Sequence, residues 1–293
     1  MDSELIEPGV GVATDSLIWV EGADAISFLD GQVSQDVGGM DPGSVRRSFL
    51  LEPRGKLRAL LWVLRGTDGV GLVTAVERAD VVMADLERFR FRVKATLRKD
   101  ARPVHSVWGS GADDPGRWWD DGVTLTATLP AAPGLLVAAA TPPPGSTLDA
   151  AALDARRVAA GEPRFGVDVD EGTIPQETGL VPEAVSFTKG CYLGQELVAR
   201  IDSRGHVNRS LRRIRGAGVI PPTGATVSGD EMAGVLGTVA PRSGGWTALG
   251  LLRHEAGPGA VVAVRWEGGE ASGTVEEIVR PVDASHPSNT PSS

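Results

Sequence analysis

Glycine and proline divide this chain into short segments. The 293 residues include 38 glycines and 20 prolines, which follow no period. Because both residue types interrupt regular structure, most of the apolar runs between them have the length of strands or short helices. Hydrophobic residues make up 41% of the chain and charged residues 23%, which is typical of globular proteins. The pattern predicts a turn-rich α+β protein and excludes a fibrous or largely disordered one.

Apolar runs predict the individual elements. Strands are predicted at 16–20, 70–76, 104–108, 123–129 and 135–140, a hairpin at 48–64, and a half-buried strand with a basic outer face at 91–97. Helices are predicted at 22–32, 81–89, 148–160 and from Leu193 to about 201. The short strands and glycine turns after 210 indicate a small barrel or sandwich. Four parts are predicted: an N-terminal α+β region (1–145), a central segment (146–208), a β-barrel (209–282) and a disordered tail (283–293).

Charge and cysteine content narrow the function classes. The net charge of −9 and the pI near 5.0 disfavour strong direct binding to nucleic acid, because an acidic surface repels phosphate. No apolar run reaches 18 residues, and the first eight residues lack a signal pattern, so we expect no membrane association. The single cysteine, Cys191, forms no internal disulfide and holds no metal site alone. These features predict a cytoplasmic protein without a bound metal.

The segment 187–196 concentrates the chemistry of the chain. It holds the only cysteine and the only tyrosine, and Lys189 stands two residues before the thiol. If a helix begins near Leu193, Cys191 lies at its N-terminus, where the helix dipole and a nearby cation favour the thiolate. The alternative is an inert packed cysteine, which is what most lone cysteines are. Common motifs such as Walker A, GxSxG, HExxH and CxxC are absent from the sequence.

A second notable segment is basic. Residues 88–99 contain six cations and two phenylalanines, a combination that suits RNA or an acidic partner. The favoured interpretation is a solvated strand face.

The motif at 189–196 resembles a known family. Lys189-Gly190-Cys191-Tyr192 followed by Gly194-Gln195-Glu196 resembles the KGCYxGQE signature of the folate-binding YgfZ family, which is related to the aminomethyltransferase T-protein of the glycine cleavage system. Similar pieces occur at 22–29, 35–37, 42–43, 53–56, 173–177 and 196–205. The resemblance covers about residues 16–279, nearly the whole chain.

The resemblance implies a fold, a cofactor and a role. The fold is T-protein-like, with mixed α/β N-terminal and central parts around a folate site and a C-terminal barrel. The cofactor is tetrahydrofolate or a derivative. The role is support of iron–sulfur protein assembly or repair, with iron–sulfur enzymes or cluster carriers as partners and tRNA modification as an indirect output. The reactive pair is Cys191 with Lys189, and the expected folate-binding residues are Gly190, Tyr192, Gly194, Gln195, Glu196, Glu177 and Arg200.

The chemistry of folate suggests further candidates without choosing among them. A carboxylate accepts the adjacent N–H groups of a pterin, apolar rings flank it, and cations hold the glutamate tail. The carboxylate candidates are Asp168, Glu171, Glu177 and Glu196; the ring candidates are Trp62, Phe165, Phe187 and Tyr192; the cation candidates are Arg54, Lys56, Arg157 and Lys189.

Two departures from the T-protein pattern argue against aminomethyl transfer from glycine. Arg58-Ala59 stands where T-proteins carry an aspartate pair, and Ala159 stands where they carry a glutamate. A cation does not stabilise a positively charged transition state as a carboxylate does. Whether the chain is an enzyme stays open. The alternatives are a folate-dependent one-carbon transferase or demethylase, and an interaction protein that keeps the fold without binding folate.

Overall fold

The computed structural model describes residues 9–109, 114–130, 134–205, 207–229, 232–278 and 280. The tail predicted at 283–293 lies outside these ranges. A ten-stranded sheet and a closed six-stranded barrel contain the strands of this part of the chain. None of its helices is long and apolar enough to cross a membrane.

The elements follow one another in a regular order. The large sheet contains β1 (Gly9–Glu21), β2 (Val45–Leu51), β3 (Leu57–Arg65), β4 (Gly69–Ala75), β5 (Thr96–Lys99), β6 (Val104–Trp108), β7 (Trp118–Asp120), β8 (Leu125–Thr128), β9 (Gly134–Ala138) and β10 (Ser146–Leu148). The barrel contains β11 (Arg209–Ala217), β12 (Thr226–Ser228), β13 (Met232–Arg242), β14 (Gly245–Arg253), β15 (Val261–Trp266) and β16 (Gly269–Glu276). The helices are α1 (Ala25–Asp30), α2 (Ala79–Phe89), α3 (Ala150–Ala160), α4 (Val181–Ala184) and α5 (Gln195–Arg204), with 3₁₀ turns at Val76–Arg78 and Pro175–Thr178.

Strand β1 organises the large sheet, whose order is β2-β3-β4-β1-β6-β9-β8-β7. One edge of β1 pairs with β10 and then β4, and the other pairs with β6 and then β5. Its register with β6 shifts twice, between Val10 and Ala13 and between Ala13 and Asp15. Asp15 is the last residue of β1 to pair with β6, directly after the second shift. Register shifts bend a strand and change the direction of its side chains.

The two faces of the sheet are both covered. Ala59, Leu61 and Val63 alternate along β3 and belong to the core cluster that includes helices α1 and α2. Trp62 points to the opposite face, where Leu17 and Leu136 belong to a second cluster. This second face also meets α3, and the two leave a cavity between them.

Helix α3 joins the sheet to the barrel. Asp149 caps its first turn by accepting a hydrogen bond from the Ala152 N–H at 2.7 Å. Leu153 packs with Trp108 on the sheet side. Val158 packs with barrel residues, among them Leu211 and Leu249. Strand β11 closes the barrel by pairing with both β14 and β16. The helix thus shares its two sides between the two β structures.

The predicted α+β fold with a small C-terminal barrel is confirmed. The half-buried strand predicted at 91–97 is wrong. A turn follows α2 instead, and the strand is Thr96–Lys99. Arg92 has a φ of 61°, which an extended strand does not allow. The alternation of arginine and apolar residues here reflects a turn in which Val93 packs against the core and Phe91 faces solvent.

Candidate functional site

The motif segment (187–196) packs against the hairpin of β2 and β3. Tyr192 is buried in a cluster with Phe49, Leu57 and other apolar side chains. Gly194 has a φ of 82°, and a Cβ there would lie 2.7 Å from the Glu52 carbonyl oxygen. This left-handed conformation and the close contact both favour glycine. Much of the motif therefore serves to seat the segment on the hairpin.

Lys189 anchors the loop that follows α1. Its ammonium donates to three backbone carbonyl oxygens, those of Asp30, Val33 and Gln35, at 2.5, 3.1 and 2.7 Å. The carboxylate of Asp30 lies 3.2 Å away, and the Lys189 side chain is 1% exposed. Burial lowers the pKa of Lys189, and Asp30 partly opposes that shift. The ammonium also lies 5.3 Å from the centre of the Tyr192 ring, and none of its described contacts is with the Cys191 sulfur.

Cys191 is exposed and unbonded. The predicted helix start near Leu193 is wrong, because α5 begins at Gln195 after the left-handed Gly194. The thiol therefore lies outside the first turn, where the helix dipole acts most strongly.

The other predicted folate-binding residues of the motif lie in the same segment or on α5. A Cβ at Gly190 would meet nothing within 4 Å. The Gln195 Oε1 accepts from the Tyr192 N–H at 3.3 Å. Glu196 and Arg200 form a solvent-exposed ion pair one turn apart on α5.

Two of the predicted pterin carboxylates join parts of the chain. Glu177 accepts two hydrogen bonds from Arg209, at 2.8 and 3.1 Å, and one from the Ile174 N–H. Asp168 accepts from the Arg157 guanidinium at 3.1 Å and from the Thr238 N–H at 2.7 Å. Both carboxylates are buried and tie the central segment to the barrel strands. None of the four predicted carboxylates, Asp168, Glu171, Glu177 and Glu196, lines the cavity beside α3.

The cavity between the sheet and α3 is the candidate ligand site. Its volume is about 170 Å³, which leaves room for a flat bicyclic ring. Trp62 and Phe165 line it as predicted, together with Trp108. Phe187 and Tyr192, the other two predicted ring residues, instead pack beneath the motif segment. The cavity thus has the aromatic walls that a planar ligand needs.

One carboxyl group in the cavity forms no ion pair in the described part of the chain. Asp15 accepts from the Thr14 hydroxyl at 3.2 Å and, weakly, from the Ser106 hydroxyl at 3.5 Å. No lysine or arginine of the described residues forms an ion pair with it. Burial raises the pKa of Asp15 to about 6, and the two hydroxyls oppose that shift. The negative charge of Glu77 adds a smaller increase, and the positive charge of Arg157 a smaller decrease. Such a carboxyl is available to a ligand.

Sequence reasoning missed Asp15, although one signal was present. A carboxylate stands two residues before Leu17 and four before Trp19, within an apolar strand pattern. Alternation places these three side chains on one face of β1. Leu17 and Trp19 belong to the core of that face, so the carboxylate is next to an apolar core.

A buried ion network forms another wall of the cavity. Arg47 contacts Glu162 at 2.8 Å and Glu183 at 3.0 Å, and its guanidinium lies 4.1 Å from the centre of the Trp62 ring. Arg280 also contacts Glu162 at 2.8 Å. Burial alone would raise the pKa of Glu162, but Arg47 and Arg280 hold it below its usual value. Burial raises the pKa of Glu183 despite the same two arginines. These satisfied charges hold the Trp62 wall in place.

Cations near the cavity differ in their availability. Arg157 lines it, but its guanidinium is held by Asp154 at 3.0 Å and by Asp168 at 3.1 Å. Arg164 also lines the cavity with a side chain that is about half exposed, and the described ion pair of its guanidinium is a long one, 3.6 Å to Glu77. The predicted tail cations Arg54 and Lys56 lie in the exposed turn between β2 and β3, outside the cavity lining.

Acidic, histidine and cysteine side chains do not gather into a metal site in the described ranges. No group of three or more of them is placed to hold an ion there.

Comparison with known proteins decides the family. No protein-family model matches the chain. A protein of Edwardsiella ictaluri called "tRNA-modifying protein YgfZ" is 31% identical over 233 residues, which cover 68% of each chain. The chain belongs to the YgfZ family. A second member, "tRNA-modifying protein YgfZ" of Sodalis glossinidius, is 28% identical over 278 residues, 85% of this chain and 82% of its own.

The fold extends beyond the YgfZ family. The structure is similar to the crystal structure of the glycine cleavage system aminomethyltransferase T from Bartonella henselae, with a TM-score of 0.80. The match covers 93% of this chain and 86% of that one, at 18% identity. A similarity at this identity shows that the T-protein fold is shared, and it transfers no activity.

Proposed function

We propose that the central cavity binds tetrahydrofolate or a close derivative, and that the chain is a folate-binding factor that supports the assembly or repair of iron–sulfur proteins. One observation carries the folate assignment. The cavity combines aromatic walls with Asp15, a carboxyl group that forms no ion pair in the described part of the chain. The T-protein-like fold supports the assignment.

The residues present fit a reduced folate. The Asp15 carboxylate accepts the adjacent N–H groups of the pterin edge, which is a bidentate arrangement. Trp62, Trp108 and Phe165 supply apolar walls for the rings. The Arg164 guanidinium, about half exposed and with only a 3.6 Å contact to Glu77 among its described ion pairs, is placed to meet the carboxylates of the glutamate tail. When bound, the folate supplies one-carbon chemistry, and these side chains orient it.

The exposed thiol supports the iron–sulfur part of the proposal. Cys191 is accessible to another protein. Since the chain has one cysteine, it contributes at most one thiolate to a cluster, and the remaining ligands come from a partner. Relatives are named tRNA-modifying proteins. Support of an iron–sulfur enzyme that modifies tRNA would give this chain an indirect effect on tRNA.

The alternative is a folate-dependent one-carbon transferase or demethylase. The binding factor is favoured because the sequence resemblance aligns Arg58 with the aspartate pair of T-proteins. Its guanidinium is held by Asp85 at 2.7 Å and by Glu171 at 3.0 Å. Asp85 raises the pKa of Arg58 further, so the position carries a permanent positive charge.

Calorimetric titration with tetrahydrofolate tests the folate assignment. We expect saturable binding by the parent protein and by Cys191→Ala, and a loss of about tenfold or more in Asp15→Asn, because an amide presents only one acceptor oxygen to the pterin edge. Asp80→Asn, at an exposed position on α2, controls for the lost charge. Absent binding by the parent would remove the assignment. Equal binding by Asp15→Asn would remove Asp15 from the site.

A cellular assay tests the iron–sulfur role separately. Cys191→Ala is expressed in a strain that lacks the native gene, and iron–sulfur enzyme activity is measured. We expect partial or no rescue, and full rescue would show that the thiol is not needed. Conversion of tetrahydrofolate to a methylene derivative with an amine donor would support the transferase instead.

A further inference from the structure

The turn that follows α2 presents aromatic and basic side chains together. We call residues 88–94 the aromatic–basic turn. Helix α2 ends at Phe89, and the Val93 N–H donates to the Arg90 carbonyl oxygen at 3.3 Å to close the turn. Phe91 stands at its tip and is 80% exposed, while Phe89 is 38% exposed. Exposed rings on a turn are accessible to a ligand.

Several contacts hold the base of this turn. The Arg90 guanidinium donates to the Ala95 carbonyl oxygen and to the Glu87 carboxylate, both at 2.8 Å. The Asp24 carboxylate accepts from the Lys94 N–H at 2.8 Å. Val93 packs against the core cluster beneath the sheet. The tip is therefore presented on a fixed base, which lowers the entropy lost on binding.

Arg92 has an unusual backbone conformation for its side chain. It is the one non-glycine residue with positive φ in the part of the chain that the structure describes. This region favours glycine, so an arginine here carries a conformational cost. Its guanidinium lies 5.2 Å from the centre of the Phe91 ring, and that of Arg88 lies 5.8 Å from the Phe89 ring. Each exposed ring is thus paired with a cation.

The charge of the segment is of one sign. Residues 88–99 contain six cations and no carboxylate. Carboxylates elsewhere in the chain pair with Arg90, Arg98 and Lys99. No ion pair within the described ranges involves Arg88, Arg92 or Lys94. Three cations beside two exposed rings therefore have their charge available.

We propose that the aromatic–basic turn binds single-stranded RNA. Bases stack on Phe91 and Phe89, and Arg88, Arg92 and Lys94 contact the phosphates. Proteins that bind single strands without sequence preference stack the bases on aromatic rings and contact the phosphates with cations, and arginines beside the rings add cation–π interactions. An acidic protein segment fits less well, because its carboxylates would meet the cations but leave the two exposed rings without the planar partners that bases supply. The net charge of −9 keeps this binding weak and sensitive to salt. The proposal is independent of folate binding.

Fluorescence anisotropy with labelled oligouridine tests the proposal. An oligomer of about 12 nucleotides covers one such site. At about 50 mM salt we expect saturable binding. The logarithm of the association constant should fall with the logarithm of the salt concentration at a slope of about −2, because three phosphate contacts are made. Phe91→Ala should weaken binding about 5- to 100-fold, because a stacked base is lost. Arg92→Gly should reduce the magnitude of this salt slope by about 0.7, because one phosphate contact is lost. Glycine adopts a positive φ without strain, so we expect this variant to fold.

Matched variants and a competitor complete the test. Trp119→Ala removes an exposed ring on β7, and it should bind RNA as the parent does. Binding by Phe91→Ala equal to the parent, or no binding by the parent, would overturn the proposal. Competition by polyglutamate of equal length as strong as that by unlabelled RNA would also overturn it, and would assign the turn to an acidic protein partner.

Discussion

The motif segment is formed by consecutive residues and is recognisable in the sequence, whereas the residues that line the central cavity are scattered along the chain. Ten consecutive residues, 187–196, hold the only cysteine, the only tyrosine and three glycine or lysine positions of the family signature. In the structure, Lys189, Tyr192 and Gly194 use their special properties for packing. The cavity instead draws its lining from six strands, the 3₁₀ turn at Val76–Arg78, Leu129 directly after β8, helix α3 and the loop after it.

This difference has a physical cause. A compact motif reflects strict local demands, such as a left-handed glycine or a buried ammonium that needs several oxygen acceptors, and those demands fall on neighbouring residues. A ligand cavity needs only that distant side chains converge, so its residues leave no pattern in the sequence. Cys191 is the member of the motif whose side chain is left exposed and unbonded.

Removing the Lys189 ammonium should have the largest effect on the motif side. In Lys189→Met, three carbonyl oxygens and the Asp30 carboxylate lose their donor, and we expect a loss of about 3 to 5 kcal/mol in the free energy of unfolding. Urea unfolding measures it. Lys94→Met, at an exposed lysine, should change stability little. If stability is unchanged and Cys191 reacts more slowly with a thiol reagent, Lys189 acts on the thiol and not in packing. The motif segment would then not differ from the cavity in the way described.

The two glycines of the motif should respond differently. Gly194→Ala forces a Cβ against the Glu52 carbonyl oxygen in a left-handed conformation, so we expect a loss of about 2 kcal/mol. Gly190→Ala meets open space and should cost much less. Thermal unfolding of both variants makes the comparison. An equal loss of stability at both glycines would show that the contact with Glu52 and the left-handed conformation do not explain the effect at Gly194.

On the cavity side, Asp15→Asn should change the pH dependence of stability. The folded carboxyl keeps its proton until about pH 6, whereas the unfolded one loses it near 3.8. The free energy of unfolding of the parent therefore falls as pH rises through this interval. Because asparagine does not ionise, the variant should be more stable than the parent at pH 7, by on the order of 1 to 2 kcal/mol, and equal to it near pH 4. Unfolding curves at both pH values test this, and a difference that does not vary with pH would contradict it.

The smallest effect is expected at the exposed thiol. Cys191→Ser should change the free energy of unfolding by less than about 0.5 kcal/mol, because the side chain faces solvent. Titration with a thiol reagent should find one fast-reacting group in the folded parent and none in the variant. A large loss of stability would place Cys191 with the packing residues and leave the motif without an accessible group.

Much of the fold could be predicted from apolar patterning. The strand at Val104–Trp108 and the helix end at Phe89 match their predicted positions, because their periods are strong and their flanks carry turn residues. The three-residue strands β7, β10 and β12 were missed because they are too short to show a period. The strand predicted at 91–97 failed because alternation also occurs in a turn that buries one side chain and exposes its neighbours.

The site was predicted only in part. Trp62 and Phe165, two of the four ring candidates from the sequence, both line the central cavity. The predicted carboxylates were not brought there, since Glu177 and Asp168 pair with arginines and join the central segment to the barrel. Asp15 and Arg47 reach the cavity through strand pairing and a register shift, which no local pattern records.

The sequence by itself determined the family, the α+β character and the barrel, because these depend on motif residues and on periods carried within short segments. The tertiary structure alone decided which charges are used for packing and which remain available. That outcome depends on which partner each charge meets: Lys189 meets three carbonyl oxygens, whereas Asp15 meets two hydroxyl groups and no ion-pair partner in the described part of the chain. Burial and pairing energies arise only when the chain has folded, so a carboxylate's role is a property of its surroundings.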